Sequence, residues 1–131
     1  MKPVAYRSML WYNQNMKENK LLQLSQEFAV DIIKVARILQ SKGERGFADQ
    51  IKRSGTSISA NISEGNHPQS RADMISKFEI ALKEANETEN WLVICGKSEL
   101  INKDIFNLTH NKLIKIKILL IKSIKTLKAH S

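Results

Sequence analysis

Apolar residues recur at intervals of three and four in four stretches of the chain, a spacing that places them on one face of an α-helix. The first stretch runs from about Asn19 to Lys42, and Gly43 follows as a break. Its apolar positions are Leu21, Leu24, Phe28, Ile32, Val35 and Leu39. Asn-Gly and Asp-Gly hairpin signals are absent from the sequence, so the pattern predicts an all-α protein.

The second stretch, from Glu44 to about Asn66, keeps the helical period through Phe47, Ile51, Ile58 and Ile62. Its centre is rich in small residues, including Ser54 and Gly55. A glycine inside a helix costs roughly 0.5–1 kcal/mol relative to alanine. We therefore expect another helix, or a second copy of the chain, to approach closely here; the alternative is a weak loop in mid-segment.

Two further helices complete the pattern after a boundary at Gly65-Asn66-His67-Pro68. The third opens with Ser70 as N-cap and Asp73 three positions later, and it ends near Gly96. Its predicted core residues are Met74, Phe78, Ala81, Leu82, Ala85 and Leu92. The fourth begins at Asn102 or Asp104, and its core stripe is Leu113, Ile116, Leu120, Ile124 and Leu127.

Four amphipathic helices with short connections predict an antiparallel up-down-up-down four-helix bundle. We assign the bundle domain to residues 19–131 and an N-terminal tail to residues 1–18. A chain of 131 residues suits one domain with one hydrophobic core.

Some apolar residues fall outside these core stripes. On the fourth helix Ile114, Ile118 and Ile121 form a second row away from the core, and Ile80, Trp91 and Ile94 form a similar group on the third. Exposed apolar rows commonly mark a partner surface, so we predict a homo-oligomer. The alternative is that these are scattered surface residues without a partner.

Net charge is +8, and the excess is concentrated at the C-terminal end, where residues 97–131 contain eight lysines against Glu99 and Asp104. Six lysines surround the core stripe of the fourth helix: Lys112, Lys115, Lys117, Lys122, Lys125 and Lys128. Two interpretations stay open, an ordinary solvated face or a surface for RNA or DNA phosphates. Phosphate contacts of this kind are independent of base sequence and sensitive to salt.

We find no sequence signature of an enzyme, metal site or bound cofactor. His67, His110 and His130 lack the helical partners that metal sites use, and no glycine-rich phosphate loop precedes a helix. Glu89 falls inside the apolar stripe of the third helix, where we expect a structural partner from the second helix, namely Lys52, Arg53 or Asn61. A catalytic acid is the less favoured interpretation because no second acid or nucleophile accompanies it.

The single cysteine, Cys95, excludes an intrachain disulfide and suits a reducing compartment. The N-terminus lacks the apolar centre of a signal peptide, and no run of apolar residues approaches the length of a membrane span. We therefore expect a cytoplasmic protein without a membrane partner.

The segment from Arg53 to Gly65 resembles the signature of the four-helix-bundle family of proteins encoded in 23S rRNA intervening sequences. The matching positions in the second helix are Arg53, Ser57, Ile58, Asn61, Ile62, Glu64 and Gly65. The third helix adds the paired acids Glu87 and Glu89. The family is related to the accessory variability protein of diversity-generating retroelements. This resemblance implies a homo-oligomeric ring, a pentamer, and as partners RNA or DNA and a protein such as a reverse transcriptase.

Together these features predict a non-enzymatic oligomeric bundle that binds RNA, DNA or a ribonucleoprotein through the lysines of its last helix. The alternative is a protein-binding adaptor or scaffold whose positive charge serves solubility.

Overall fold

The structure is a computed structural model that describes the backbone of residues 4–130 and the side chains of residues 20–130. Within these ranges the backbone forms four helices and no strand, which confirms the predicted all-α class. In chain order they are α1 (Val4–Ser41), α2 (Arg45–Gly65), α3 (Arg71–Lys97) and α4 (Lys103–Ala129).

Each helix packs against two others, in the cyclic order α1, α2, α3, α4. Short connections reverse the chain direction at each step, so the molecule is the antiparallel up-down-up-down bundle that the periodicity predicts. The core combines large aliphatic and aromatic side chains from all four helices. Its largest fully buried members are Phe28, Phe78, Leu21, Ile32, Leu39, Ile51, Ile58, Ile62, Leu92, Leu113, Ile116 and Leu120.

The helix ends follow the local sequence. Ser70 caps α3, because its hydroxyl accepts a hydrogen bond from the Asp73 amide at 3.0 Å. The Asp73 carboxylate accepts in turn from the Gln69 amide at 3.2 Å. Asn102 caps α4 by accepting from the Ile105 amide at 2.8 Å, which decides between the two predicted starts of that helix. Gly43 lies in the turn between α1 and α2 and has a φ of 82°, a left-handed backbone conformation that residues with a side chain rarely adopt.

The small residues of α2 serve a close contact inside the bundle. Gly55 lies against Ile32 of α1, and Ser54 is buried at the α2–α3 contact. The Thr88 hydroxyl of α3 lies 2.9 Å from the Ser54 hydroxyl, so both polar groups are paired in the core. The expected close approach of a neighbouring helix is therefore confirmed, and the alternative of a loop in mid-segment is wrong.

The first helix starts at Val4 rather than near Asn19. The core stripe of this helix does not continue before Leu21, because Lys17, Glu18 and Gln14 occupy its next positions. Residues such as Gln, Met, Lys and Glu nevertheless have good intrinsic helix propensity. The predicted tail, residues 1–18, and its boundary with the bundle domain, residues 19–131, lie outside the described side chains, so this division stays a prediction.

Candidate nucleic-acid interface on the fourth helix

The core stripe of α4 fixes which of its residues face outward. Leu113, Ile116, Leu120, Ile124 and Leu127 are all buried, as predicted. Because a helix turns 100° per residue, this stripe anchors α4 on the bundle and leaves more than half of its circumference to the six lysines and the second apolar row. α4 is held between α1 on one side and α3 on the other.

Three of the six predicted lysines form ion pairs within the bundle. Lys112 Nζ lies 2.6 Å from Asp31 Oδ2 of α1, and Lys117 Nζ lies 2.8 Å from Glu89 Oε1 of α3. Lys128 Nζ lies 2.9 Å from Glu79 Oε1, also of α3. These lysines line the two seams of α4, so neighbouring carboxylates already neutralise part of their charge.

The other three lysines, Lys115, Lys122 and Lys125, point away from the bundle. All three are exposed, and none forms a salt bridge with a residue in the range 20–130, where side chains are described. The only acidic residue of α4 is Asp104 in its first turn. This outer α4 face, defined by Lys115, Lys122 and Lys125, therefore carries positive charge that no carboxylate of its own helix offsets.

Glu89 joins α3 to α4. Its Oε2 lies 3.0 Å from His110 Nε2, and its Oε1 accepts from Lys117 Nζ. The hydrogen bond from Lys117 is the main reason that the pKa of the Glu89 carboxyl is below its ordinary value; burial opposes this shift, and His110 supports it. The expected partners on α2 were therefore wrong. On its helical wheel Glu89 faces the α4 side, and a single-helix pattern did not reveal which neighbour lies there.

Sequence reasoning missed an aromatic contact next to Glu89. The Phe106 ring stacks on the His110 ring, with centroids 5.0 Å apart and an interplanar angle of 12°. Gly96 makes room for Phe106, because a β-carbon at that position would lie 3.0 Å from Phe106 Cδ2. The stack holds the imidazole beside the carboxylate. Phe106 lies two turns before Leu113 on the same side of α4, so helical periodicity could have identified it; the predicted core stripe started only at Leu113.

The predicted interface residues differ in exposure. Ile118 is 48% exposed, and Ile80 and Ile121 are 39% and 38% exposed. Ile114 is only half-buried, and Trp91 packs edge-on against Phe47 with ring centroids 5.2 Å apart. Ile118 therefore has the largest exposed fraction of the predicted isoleucines, whereas Trp91 is half-buried and packs against Phe47.

The family-motif residues build the scaffold rather than the outer α4 face. Ile58, Ile62 and Gly65 are buried in the core.

The polar residues of the family motif form hydrogen bonds within α2 and salt bridges to α3. Ser57 donates to the Arg53 carbonyl and Asn61 to the Ser57 carbonyl, each at 2.8 Å. Arg53 Nη2 lies 2.6 Å from Glu87 Oε1, and Lys77 Nζ lies 3.0 Å from Glu64 Oε2. The motif thus ties α2 to α3, and Glu89 continues the link to α4.

Two titratable groups away from α4 have altered acidity. Burial raises the pKa of the Cys95 thiol to about 11, which leaves it un-ionised and poorly nucleophilic at neutral pH. Burial, followed by the charge of Glu87, raises the pKa of Glu84.

No cluster of three or more His, Cys, Asp or Glu side chains suited to a metal ion occurs among residues 20–130. No helix in the described backbone is both long and apolar enough to cross a membrane.

The fold and the outer α4 face define a class of protein, a small all-α bundle with an exposed basic helix. Within this class, a family model described as 23S rRNA-intervening sequence protein matches residues 17–122. The chain belongs to this family, which confirms the resemblance predicted from the Arg53–Gly65 motif.

A solved structure supports the same assignment. It is a protein of unknown function from the S23 ribosomal protein family of Bacteroides thetaiotaomicron, 45% identical to this chain. The match covers 83% of this chain and 98% of that one, with a TM-score of 0.80. None of the curated proteins matches the chain.

Proposed function

We propose that this protein is a non-enzymatic, oligomeric helical bundle that binds RNA, DNA or a ribonucleoprotein through the outer α4 face. The observation that carries the proposal is the group of three exposed lysines, Lys115, Lys122 and Lys125, without salt-bridge partners among the described side chains. Ammonium groups that no carboxylate neutralises release counterions when they contact a phosphate backbone. The net charge of +8 adds long-range attraction for a polyanion.

RNA is the polyanion to test first. The name of the family refers to intervening sequences of 23S rRNA, and the similar solved structure is assigned to the S23 ribosomal protein family. These names describe the relatives, and they supply the choice of probe here. The lysines supply the physical reason for binding.

The proposed assembly is a homo-oligomeric ring, with a pentamer as the state implied by the family resemblance. The exposed isoleucines Ile118 and Ile121 support a contact between copies. On a helical wheel, Lys115 and Lys122 share one line of α4, and the isoleucines lie on the α3 side of that line. A neighbour that covers the isoleucines leaves Lys115 and Lys122 at its border and contacts Lys125, which lies between Ile118 and Ile121 on the wheel. A ring therefore repeats the positive charge of Lys115 and Lys122 and strengthens its field.

The rival function is a protein-binding adaptor. The observation that favours it is the apolar surface of α3, where Ile80 and Ile94 are 39% and 40% exposed. A protein partner uses such aliphatic surface, whereas a phosphate backbone gains little from it.

The deciding experiment compares two triple variants of equal net charge. The first replaces Lys115, Lys122 and Lys125 with Gln; the control replaces Lys52, Lys83 and Lys97, exposed lysines of α2 and α3, with Gln. Affinity for a structured RNA is measured by fluorescence anisotropy at several salt concentrations. The proposal expects the α4 variant to lose most of the salt-dependent binding and the control to retain it. Equal losses in both variants would contradict it, and so would failure of the wild type to bind either this RNA or DNA at low salt.

A further inference from the structure

We infer that the nucleic acid recognised by the outer α4 face is a duplex, read through its phosphate backbone, rather than a single strand. This inference rests on the proposed function and specifies the ligand of the same site. It follows from three features of that face: the chemistry of its side chains, the location of the aromatic rings and the rigidity of the helix.

The side chains of the outer α4 face suit phosphate contacts better than the reading of base edges. Lysine is a compact point charge, whereas arginine presents a planar fork that pairs with base edges and stacks on rings. The whole of α4 contains lysines and no arginine.

The aromatic rings of the described chain are not available for stacking on splayed bases. Proteins that bind single strands typically stack successive bases on exposed aromatic side chains, each worth about 1–3 kcal/mol. Among residues 20–130, Phe28 and Phe78 are fully buried. Phe47 and Trp91 pack on each other, and Phe106 is stacked on His110. Among the side chains of residues 20–130, none therefore gives the outer α4 face the stacking platform that single-strand binding typically uses.

The lysines form an array of fixed spacing. They lie on one uninterrupted helix of 27 residues, anchored by its buried stripe and by ion pairs to Asp31 and Glu89. Lys115 and Lys122 are two turns apart on the same side, about 10 Å along the axis, and Lys125 follows nearly one turn later. A duplex presents phosphates that are already ordered, whereas a flexible strand must lose conformational freedom to match such an array.

Counterion release favours the duplex further. A double strand carries a higher charge density than a single strand. A plot of the logarithm of the binding constant against the logarithm of the salt concentration falls with a slope of about 0.9 per neutralised phosphate for a duplex, against about 0.7 for a single strand. The same three contacts thus release more counterions from a duplex. The phosphate backbone is common to RNA and DNA, so both kinds of duplex fit this chemistry.

The test uses the full-length protein with a blunt RNA duplex, each of its two component strands and the DNA duplex of the same sequence. Strands are chosen without self-complementarity, and affinities are measured by anisotropy across a salt series. We expect the duplexes to bind about tenfold more tightly than either strand at low salt, with a steeper salt slope. Replacement of Lys115, Lys122 and Lys125 with Gln abolishes this difference.

Two other outcomes separate this inference from the proposed function. Binding of a single strand as tightly as the duplex, still lost in the triple Gln variant, overturns the duplex assignment and leaves the proposed function intact. Failure of the wild type to bind any of the four nucleic acids at low salt overturns the proposed function and the inference with it. Circular dichroism of the triple variant verifies that it retains its helical fold.

Discussion

Ile32 of α1 occupies the space that a side chain on Gly55 of α2 would need. A β-carbon on Gly55 would lie 2.7 Å from Cγ2 and 2.9 Å from Cγ1 of Ile32, and Ile32 itself is fully buried. This contact brings α1 and α2 close together at the centre of the bundle. It explains why α2 tolerates a glycine in the middle of a helix.

Replacement of Gly55 with Ala should therefore destabilise the protein. Alanine improves helix propensity by roughly 0.5–1 kcal/mol, but overpacking against Ile32 costs about 1–3 kcal/mol, so we expect a net loss. The matched control is Gly46→Ala in the first turn of the same helix, where no atom lies within 4 Å of the added β-carbon. Urea denaturation should show Gly46→Ala neutral or stabilised; a Gly55→Ala variant at least as stable as Gly46→Ala would refute the packing argument.

Glu89 should make stability depend on pH in the acid range. Glu89→Gln weakens the contacts to His110 and Lys117, and we expect a loss of about 1–2 kcal/mol in unfolding free energy at pH 7. Folding lowers the pKa of the Glu89 carboxyl from 4.5. The stabilisation is therefore complete at pH values above the pKa that Glu89 has in the unfolded chain, and it disappears as pH falls through the pKa that Glu89 has in the folded protein. The difference between wild type and variant should thus narrow below about pH 4.5. A difference that stays constant into strong acid, or that equals the effect of the exposed control Glu27→Gln, would contradict this role.

Glu84 should show the opposite behaviour. Its pKa is raised by burial and by Glu87, so the ionised carboxylate opposes folding at neutral pH and protonation relieves that cost. We expect Glu84→Gln to raise unfolding free energy at pH 7 by about 1 kcal/mol or less. The advantage should shrink as pH falls through the folded pKa of Glu84. Thermal denaturation at several pH values measures this, and a variant less stable than wild type at pH 7 would show that the contact with Arg53 outweighs burial.

Ile118 should contribute to the contact between copies. Ile118→Asp places a charge in the apolar row of α4, and we expect the oligomer to dissociate because a buried unpaired carboxylate is costly. Thr126→Asp is the matched control, since it adds the same charge to an exposed polar position of the same helix on the α1 side of Lys115 and Lys122, away from the isoleucines. Sedimentation analysis should give a reduced mass for Ile118→Asp alone. An unchanged mass would remove Ile118 from the interface.

The sequence predicted the fold far better than it predicted the candidate site. Helical periodicity identified the buried stripe of α4, and local capping chemistry identified Ser70, because both depend on residues close together in the chain. Neither signal indicated that Lys112 and Lys117 form ion pairs, because their partners, Asp31 and Glu89, lie 81 and 28 positions away in the chain on other helices. The partners of Glu89 were missed for the same reason. Periodicity shows that a residue faces a neighbour, but the packing order of the helices decides which one.

Light scattering after size exclusion, with and without an RNA duplex, tests the central claim most directly. The wild type should elute as a multiple of the 15.0 kDa chain, gain mass with RNA at low salt and return to its own mass at high salt. An oligomer whose mass is the same with and without RNA at every salt concentration would contradict nucleic-acid binding and favour the protein-binding adaptor.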